Sequence, residues 1–183
     1  GGRFSEPTDR QVEEFTASLH FDKRLYPYDI AGSVAHCRML AVQGIVSAED
    51  ADVIVSALQE ILKDLEAGTF PLPADREDIH MAIEAALIDR VGPVGGKLHT
   101  AWSRNDQVSL DMRLYLRDEV DNIIGLLAGF QASLVGVAKR EIDTVLPGYT
   151  HLQKAQPVLL AHYLLAYREM FDRDMNRLRE CRY

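Results

Sequence analysis

Residues 105–139 read NDQVSLDMRLYLRDEVDNIIGLLAGFQASLVGVAK and contain no proline. Apolar side chains recur along this run at steps of three and four residues, which is the spacing of one helix face; they are Val108, Met112, Leu116, Val120, Ile123, Ile124 and Leu127. The run therefore predicts a single α-helix of roughly 50 Å, at 1.5 Å per residue. A second run, from Pro157 to Tyr183, predicts another helix of roughly 40 Å.

Helices of this length cannot bury their apolar stripes inside a chain of 183 residues. One explanation is an extended antiparallel pair that folds on itself. The other is burial between several copies of the chain. We favour the oligomer, which the family resemblance described below supports.

Three shorter helices are predicted before these two, and each ends at a glycine; they cover residues 30–41 before Gly44, residues 51–65 before Gly68, and residues 79–87 before Gly92. The middle helix follows Ser47, whose spacing to Asp50 resembles a capping box. No segment shows the sustained alternation of apolar and polar side chains that indicates a strand. The sequence therefore predicts an all-α chain without a β-sheet.

The net charge of −8 argues against nucleic acid and against an anionic membrane surface as partners. Cys37 and Cys181 are too few for a disulfide framework, which favours a reduced, cytoplasmic setting. We find no secretory signal and no apolar run of transmembrane length. An anionic substrate would need a local positive patch, and the candidates lie in two segments; they are Lys97, His99, Arg104, His151 and Lys154.

One of these segments, residues 147–157, reads PGYTHLQKAQP. Pro147 and Gly148 stop any preceding helix, and Pro157 can open a new helix only near its first turn. A hydroxyl, a histidine and an amide, between Thr150 and Gln153, therefore lie on a short constrained loop, where chemistry is often placed. The alternative is an ordinary connection between helices that contains a hydrogen-bonded histidine.

The other segment, residues 95–107, reads GGKLHTAWSRNDQ and precedes the long helix. Ser103, Asn105 and Asp106 are all good N-cap residues, but a helix has only one N-cap. Capping does not explain why a lysine, a histidine and an arginine gather beside it. A helix N-terminus among such cations is a natural site for a carboxylate.

Two other patterns are weaker. Residues 92–97 faintly resemble a phosphate loop, but Val91 stands where the first glycine should be, and Leu98 where Ser or Thr should be. His80 and Glu84 are one helical turn apart, yet no further ligand is nearby in the sequence, so we expect a surface pair there. We accordingly predict no metal and no cofactor.

Five motifs are spread along the chain; they are GGRFS at 1–5, FTASLHFD at 15–22, EDIH at 77–80, SRNDQ at 103–107 and GYTHLQ at 148–153. In this order they resemble motifs of the argininosuccinate lyase family, in the fumarase/aspartase superfamily, and they include the first two of that family's three signature blocks. The SRNDQ form and the tyrosine before Thr-His favour this family over fumarases and aspartases. The resemblance covers essentially the whole chain. It implies a small N-terminal helical domain over residues 1–102 and an incomplete central bundle of long helices over residues 103–183.

The resemblance implies that argininosuccinate, a small-molecule substrate, is split by β-elimination into arginine and fumarate, a step of arginine biosynthesis. It implies acid or base catalysis by His151, with the direction of proton transfer left open. It also implies substrate contacts by Ser18, Asp78, His80, Ser103, Arg104, Asn105, Thr150 and Gln153. Members of the superfamily form tetramers around a long helical bundle, and each active site takes signature blocks from three subunits.

Two features depart from the family pattern. The family's third signature block, which carries a catalytic serine, is absent from these residues, so we expect the N-terminal part of a family member, inactive alone. In addition, Trp102 stands where the family usually has arginine. A neutral ring with one donor there replaces a charged group with five, which puts substrate binding beside Ser103 in doubt.

Two alternative functions stay open. One is a non-catalytic helical scaffold that kept the fold, as the lens δ-crystallins similar to this family did; Trp102 and the missing third block favour it. The other is elimination on adenylosuccinate, which the Tyr-Thr-His-Leu-Gln sequence of the motif disfavours. The presence of His151, Thr150 and Asn105 favours the lyase.

Overall fold

The computed structural model describes residues 9–72 and 77–182. The first motif, residues 1–5, lies outside these ranges. Within them the chain forms helices α1 (Arg10–Thr16), α2 (Leu19–Asp22), α3 (Tyr26–Val42), α4 (Ala48–Glu66), α5 (Ile79–Val91), α6 (Arg104–Arg140) and α7 (Leu160–Cys181). Short 3₁₀ segments cover Lys23–Leu25 and Gly92–His99, and strands β1 (Val145–Thr150) and β2 (Gln153–Leu159) separate α6 from α7. The predicted helical fold class is confirmed.

The three predicted short helices are confirmed as α3, α4 and α5, and their ends follow from the sequence. The side chain of Ser47 caps the start of α4, and that of Asp78 caps the start of α5, each by accepting a backbone N–H. Gly44, Gly68 and Gly92 follow the three helices with φ of 69°, 69° and 67°. Glycine reaches this left-handed region without steric cost, which is why the helices end there.

One compact unit comprises the described residues up to Tyr115. Its deepest apolar side chains come from α3, α4 and α5; they are Cys37, Leu40, Ile54, Leu58, Ile61, Ile79 and Leu87. Burial stabilises each of the large ones by about 1.5–3 kcal/mol relative to exposure. At Gly32, α3 comes close to the first turns of α6, since a Cβ atom there would lie 3.0 Å from Leu110 Cδ2 and 3.6 Å from Asp111 Oδ1. The missing side chain of Gly32 thus lets Asp111 reach α3.

The other unit begins at Leu116 and contains the rest of α6, the two strands and α7. Its two helices run antiparallel. Arg182 Nε donates to Asp121 Oδ1 at 2.6 Å, and further along Gln131 Nε2 donates to the backbone oxygen of Arg168 at 3.0 Å. The two long helices therefore exist as predicted, and α6 has 37 residues.

Much of the apolar stripe of α6 is exposed within its unit. Leu116, Leu126 and Phe130 keep 51%, 67% and 49% of their surface exposed. In the part of the chain that the structure describes, α6 is long and apolar enough to cross a membrane by length and composition alone, with mean hydropathy 1.5 over 18 residues, 6% of them buried. By this measure the expectation of no apolar run of transmembrane length is wrong.

The strands β1 and β2 form an antiparallel hairpin, so the prediction of a chain without a β-sheet is wrong. Pro147 lies opposite Pro157 in the register. Proline accepts an extended backbone on an edge strand, where its missing N–H leaves no ladder bond unmade. Both strands are exposed along nearly their whole length. Because neither has a buried face, the hairpin leaves no period-two signal in the sequence.

The hairpin also changes where the last helix begins. Pro157 was expected near the first turn of that helix, but it lies in β2, and α7 begins at Leu160. The register of the hairpin is irregular around Gly148. A Cβ atom on Gly148 would lie 2.9 Å from the backbone oxygen of Gln156, so this irregularity requires glycine.

Candidate active site

The tip of the hairpin carries the Thr-His-Leu-Gln motif. Thr150 pairs with Gln153, and His151 and Leu152 form the two-residue turn between them. Both turn residues have positive φ, 48° and 61°, as a type I′ turn requires at its two central positions. Residues other than glycine adopt this region rarely and at a cost, and such strain is concentrated at functional sites.

The side chains at this tip are available to a ligand. Thr150, His151, Gln153 and Lys154 are all exposed. Within the described ranges no hydrogen bond or ion pair engages the His151 ring, so the structure does not show the hydrogen-bonded histidine of an ordinary connection. The predicted loop is instead a two-residue turn between paired strands, with an unengaged imidazole at its tip.

The start of α6 positions the Ser-Arg-Asn-Asp-Gln motif. Ser103 is the N-cap, since its backbone oxygen accepts from Gln107 N at 3.2 Å. Asp106 Oδ2 reaches back to Ser103, accepting from its backbone N at 3.1 Å and its hydroxyl at 3.2 Å. This is the capping arrangement expected for one of the three candidates. Asn105 is exposed, and no hydrogen bond is made by its side chain among the described residues.

The predicted positive patch is largely neutralised by carboxylates in the same unit. Arg104 Nη2 pairs with Glu84 Oε2 at 2.8 Å, and His99 Nδ1 lies 3.9 Å from the other oxygen of Glu84. Lys97 Nζ pairs with Asp50. These partners are on α5 and α4, so sequence neighbours could not reveal them. The helix start therefore offers an anion less free positive charge than the sequence suggests.

Trp102, which departs from the family pattern, has a defined place. Its ring stacks on the ring of His36 in α3. His36 Nε2 lies 2.9 Å from the backbone oxygen of Thr100. Since a carbonyl oxygen only accepts, this nitrogen carries the proton. Trp102 also lines a cavity of about 20 Å³, together with Asp29, Ser33, Ile83, Glu84, Leu87, Gly95, Leu98, His99 and Gln107. A cavity of that size holds about one water molecule.

The motif around Ser18 and the motif before α5 are joined. The Ser18 hydroxyl donates to Asp22 Oδ2 at 2.5 Å, and the Ser18 backbone N donates to Glu77 O at 2.7 Å. The other oxygen of Asp22 accepts from Ile79 N at 3.2 Å. The structure thus brings Ser18 beside the segment that carries Asp78, and it adds Asp22, which the sequence reasoning missed.

His80 lies inside the helix packing, so the expectation of a surface pair with Glu84 is wrong. Only 2% of His80 is exposed. Its Nδ1 lies 2.5 Å from Asp29 Oδ2 on α3 and 3.3 Å from Asp111 Oδ2 on α6. We call Asp29, His80 and Asp111 the buried triad. Sequence reasoning missed both aspartates, although each shares a helix face with apolar core positions.

The buried triad is close enough to hold a metal ion, because its three ligand atoms lie within 4.8 Å of one another. The distances fit a proton better. Ligands about 2.0–2.2 Å from a tetrahedral metal are separated from each other by about 3.3–3.6 Å. The His80–Asp29 separation of 2.5 Å is that of a charge-assisted hydrogen bond. The arrangement therefore does not overturn the prediction of no metal.

The triad has unusual electrostatics. Burial and the nearby Asp29 charge raise the pKa of Asp111 to about 7, against the opposing influence of His80 and Arg104. Burial disfavours the charged form of His80, yet the hydrogen bond and charge of Asp29 raise its pKa above the ordinary 6.5. His80 is thus held by one carboxylate, with a second carboxyl group beside it.

Comparison with known proteins agrees with these motifs. A family profile described as "Lyase" matches residues 2–183. The argininosuccinate lyase of Syntrophus aciditrophicus (strain SB) is 59% identical over 99% of this chain and 38% of its own length. That of Pelotomaculum thermopropionicum is 58% identical over 100% of this chain and 40% of its own length. The resemblance to argininosuccinate lyases is therefore confirmed. The chain spans about two-fifths of the length of these curated relatives.

Solved structures share the fold. A variant of EDDS lyase with bound fumarate is 30% identical, with a TM-score of 0.77 over 97% of this chain and 35% of that one. A fumarate lyase from Mesorhizobium sp. BNC1 is 22% identical, with a TM-score of 0.69 over 97% of this chain and 41% of that one. This second likeness concerns the fold alone.

Proposed function

This chain belongs to the lyase family, and from this membership we propose that the whole protein cleaves argininosuccinate into arginine and fumarate by β-elimination. The reaction needs a base for the proton next to a carboxylate and donors for the charge that develops on that carboxylate. It also needs an acid for the departing guanidino nitrogen. The residues described here would contribute to the first two blocks of such a site.

The observation that carries the proposal is the hairpin tip. His151 is exposed and unengaged among the described residues, in a strained turn between the paired Thr150 and Gln153. The turn defines the backbone position from which the imidazole projects, which lowers the entropy cost of positioning it during the reaction. We assign His151 to proton transfer, and Thr150 and Gln153 to binding and orienting the substrate.

The remaining candidate residues are proposed as binding or positioning groups. Ser103, Arg104 and Asn105 lie at the first turn of α6, where N–H groups and the helix dipole favour a carboxylate. Ser18 and Asp78 lie together at the start of α5. His80 is buried, so its proposed contribution is to hold the neighbouring segments in place. Fumarate bound to the EDDS lyase variant supports fumarate as the shared small molecule.

Assembly and location belong to the same proposal. We propose a cytoplasmic homotetramer in which copies of the chain cover the exposed stripe of α6. Leu126 and Phe130 support this, because large apolar side chains so exposed on one helix face usually mark an interface. We also keep the proposed division into a small helical domain over residues 1–102 and the start of a long-helix bundle over residues 103–183.

A non-catalytic scaffold is the second candidate, and Trp102 is the observation that favours it. The indole is fixed against His36 immediately before Ser103, so the five donors that the family's usual arginine offers are absent from this point. In this alternative the fold and its assembly are retained, and argininosuccinate is not turned over.

The test is fumarate release from argininosuccinate by the purified whole protein, followed by absorbance. Turnover that is lost when His151 is replaced, while assembly is unchanged, supports the lyase. A correctly assembled protein that releases no fumarate supports the scaffold. Turnover of adenylosuccinate without turnover of argininosuccinate would reassign the substrate.

A further inference from the structure

The buried triad joins three helices at one point. Asp29 belongs to α3, His80 to α5 and Asp111 to α6. Their residues are 1%, 2% and 0% exposed. Three ionisable side chains buried so completely are expensive to desolvate unless their charges and hydrogen bonds are matched.

Asp29 is fully engaged by donors. His80 Nδ1 donates to Asp29 Oδ2 at 2.5 Å, and Gln107 Nε2 donates to the same oxygen at 2.7 Å. The Ser33 hydroxyl donates to Asp29 Oδ1 at 3.3 Å. A carboxylate with three donors and an adjacent imidazolium is a well-compensated buried charge. The negative charge of Asp29 therefore balances the positive charge of His80.

Asp111 has no such compensation. Neither of its side-chain oxygens has a hydrogen-bond partner among the described residues. The nearest cation, His80 Nδ1, lies 3.3 Å away, but its single proton is used by Asp29 at 2.5 Å. An ionised Asp111 would be a second buried negative charge beside one imidazolium, with no donor to stabilise it. A proton on Asp111 removes this charge.

Charged groups on each neighbouring helix influence whether Asp111 is ionised or neutral. Asp29 on α3 disfavours an ionised Asp111, whereas His80 on α5 and Arg104 on α6 favour it. Asp78, at the start of α5, acts on the triad through His80. Burial is the largest influence and, with Asp29, favours the neutral acid. The neutral form of Asp111 is thus populated near neutral pH.

Hydrogen bonds connect the triad to the proposed substrate-binding segment, residues 103–107. Gln107 donates to Asp29 through Nε2 and accepts from Arg104 Nη1 through Oε1. Arg104 in turn pairs with Glu84. The hydrogen bonds therefore run without interruption from Asp29 to the first turn of α6. Asp111 lies one helical turn after Gln107 on α6, so Asp111 and the residue that bonds Asp29 belong to the same helix face.

We propose that Asp111 is held as a neutral acid beside the Asp29–His80 ion pair, and that loss of its proton loosens residues 103–107 and weakens substrate binding. The part about substrate rests on the proposed function. Repulsion between two carboxylates, one on α3 and one on α6, is the physical cause. Asp111 is in this view a positioning residue, which does not touch the substrate.

The proton is tested by infrared spectroscopy of the whole protein at acid and alkaline pH. We expect a C=O stretching band of a protonated buried carboxyl group that disappears as pH rises through about 7 and is absent from Asp111→Asn. Asp89→Asn, the same change at an exposed acid on α5, should keep the band. If Asp111→Asn does not fold, ¹³C labelling of aspartate carboxyls in the unchanged protein must shift the band. No such band, or a band that survives in Asp111→Asn, overturns the proposal.

The positioning role is tested by the pH dependence of KM and by NMR. In the unchanged protein, KM for argininosuccinate should rise by about tenfold as Asp111 ionises, the equivalent of one charge-assisted hydrogen bond, with a smaller change in kcat. In Asp111→Asn this rise should disappear. The indole N–H resonance of Trp102 should shift over the same pH range only in the unchanged protein.

These measurements separate the two proposals. The pH dependence of KM and that of the Trp102 resonance are each compared between the unchanged protein and Asp111→Asn. If both are the same in the two proteins, the positioning role is overturned. If neither protein releases fumarate, the proposed function fails, and the infrared band and the Trp102 resonance still decide whether the acid is neutral and linked to residues 103–107.

Discussion

The rings of His36 and Trp102 are stacked, with their centroids 4.3 Å apart and their planes inclined by 10°. His36 Nε2 also donates a hydrogen bond to the backbone oxygen of Thr100. The segment that carries Trp102 therefore contacts α3 twice, through the stacked indole and through the backbone of Thr100. The residue immediately before the proposed carboxylate site is therefore packed against α3, and a substitution there changes the donors offered to an anion.

Replacing Trp102 by arginine should raise kcat/KM for argininosuccinate by at least about tenfold in the whole protein, because one charge-assisted hydrogen bond is worth about 1.5–3 kcal/mol. A guanidinium can also stack on His36, which preserves the contact with α3. Trp102→Phe is the control, since it keeps a stacked ring and adds no donor. Equal efficiency of the unchanged protein and Trp102→Arg would show that the tryptophan is a tolerated difference.

Replacing His151 by asparagine should lower turnover by roughly 10²–10⁴, the usual contribution of one acid or base group. Folding should be unaffected, because asparagine is one of the residues that tolerate positive φ. The measurement is fumarate release at equal oligomeric state. His162→Asn, at an exposed histidine of α7, is the matched control. Unchanged kinetics in the His151 variant would remove this residue from the mechanism.

Asp111 should make stability fall as pH rises. Its pKa is raised from the ordinary 3.8 to about 7 in the folded chain, so the folded state keeps a proton that the unfolded state has released. This contribution is complete below about pH 4 and is lost between about pH 4 and about pH 7, with a slope of at most about 1.4 kcal/mol per pH unit. The raised pKa of His80 adds a loss of the same sign, at higher pH.

Urea unfolding of the unchanged protein and of Asp111→Asn across this pH range measures the effect. The free energy of unfolding of the unchanged protein should decline relative to that of the variant as pH rises. The comparison reports Asp111 together with its influence on His80, because the charge of Asp111 helps to raise the pKa of His80. Parallel pH profiles for the two proteins are the result that excludes the raised pKa.

The exposed stripe of α6 predicts self-association. Leu126→Glu should weaken assembly, because it places a charge where we expect another copy of the chain to bind. Val42→Glu is the control, since Val42 is 81% exposed at the end of α3 and belongs to the other unit. Sedimentation equilibrium at micromolar concentration distinguishes the variants. A monomer for the unchanged chain, without binding of a dye for exposed apolar surface, contradicts the prediction.

Gly148→Ala should destabilise the hairpin. A Cβ atom there would lie 2.9 Å from the backbone oxygen of Gln156, and a backbone atom cannot move aside as a side chain can. We expect a cost of about 1–3 kcal/mol, as for other overpacking changes. Gly96→Ala is the control, because a Cβ atom on Gly96 meets nothing within 4 Å. Thermal unfolding followed by circular dichroism compares the two variants, and equal midpoints would contradict the predicted clash.

The helices were predictable because local signals determine them. Ser47 and Asp78 cap the starts of α4 and α5. Gly44, Gly68 and Gly92 follow the ends of α3, α4 and α5. The start and stop signals therefore agree with the apolar periodicity. The hairpin was not predictable in this way. Its strands bury no face, and Pro147 and Pro157, which lie inside the strands, are read as the end of one helix and the start of another.

The motifs of the candidate site were predictable from the sequence, but the side chains that pair with their residues were not. Ser103 and His151 could be identified from residues that adjoin them in the sequence. The carboxylates that neutralise Arg104 and Lys97, and the aspartates around His80, come from other helices. Such pairs depend on how helices pack, which the pattern of one helix does not contain.

The hairpin is held together by its own pairs, Val145 with Leu159 at one end and Thr150 with Gln153 at the other. It joins α6 to α7 as a self-contained insert, whose backbone geometry is decided within fifteen consecutive positions. Such an insert can be exchanged between relatives as a cassette. A chimera that receives residues 145–159 from another member of the family would inherit the tip residues of its donor while keeping the helices of its host.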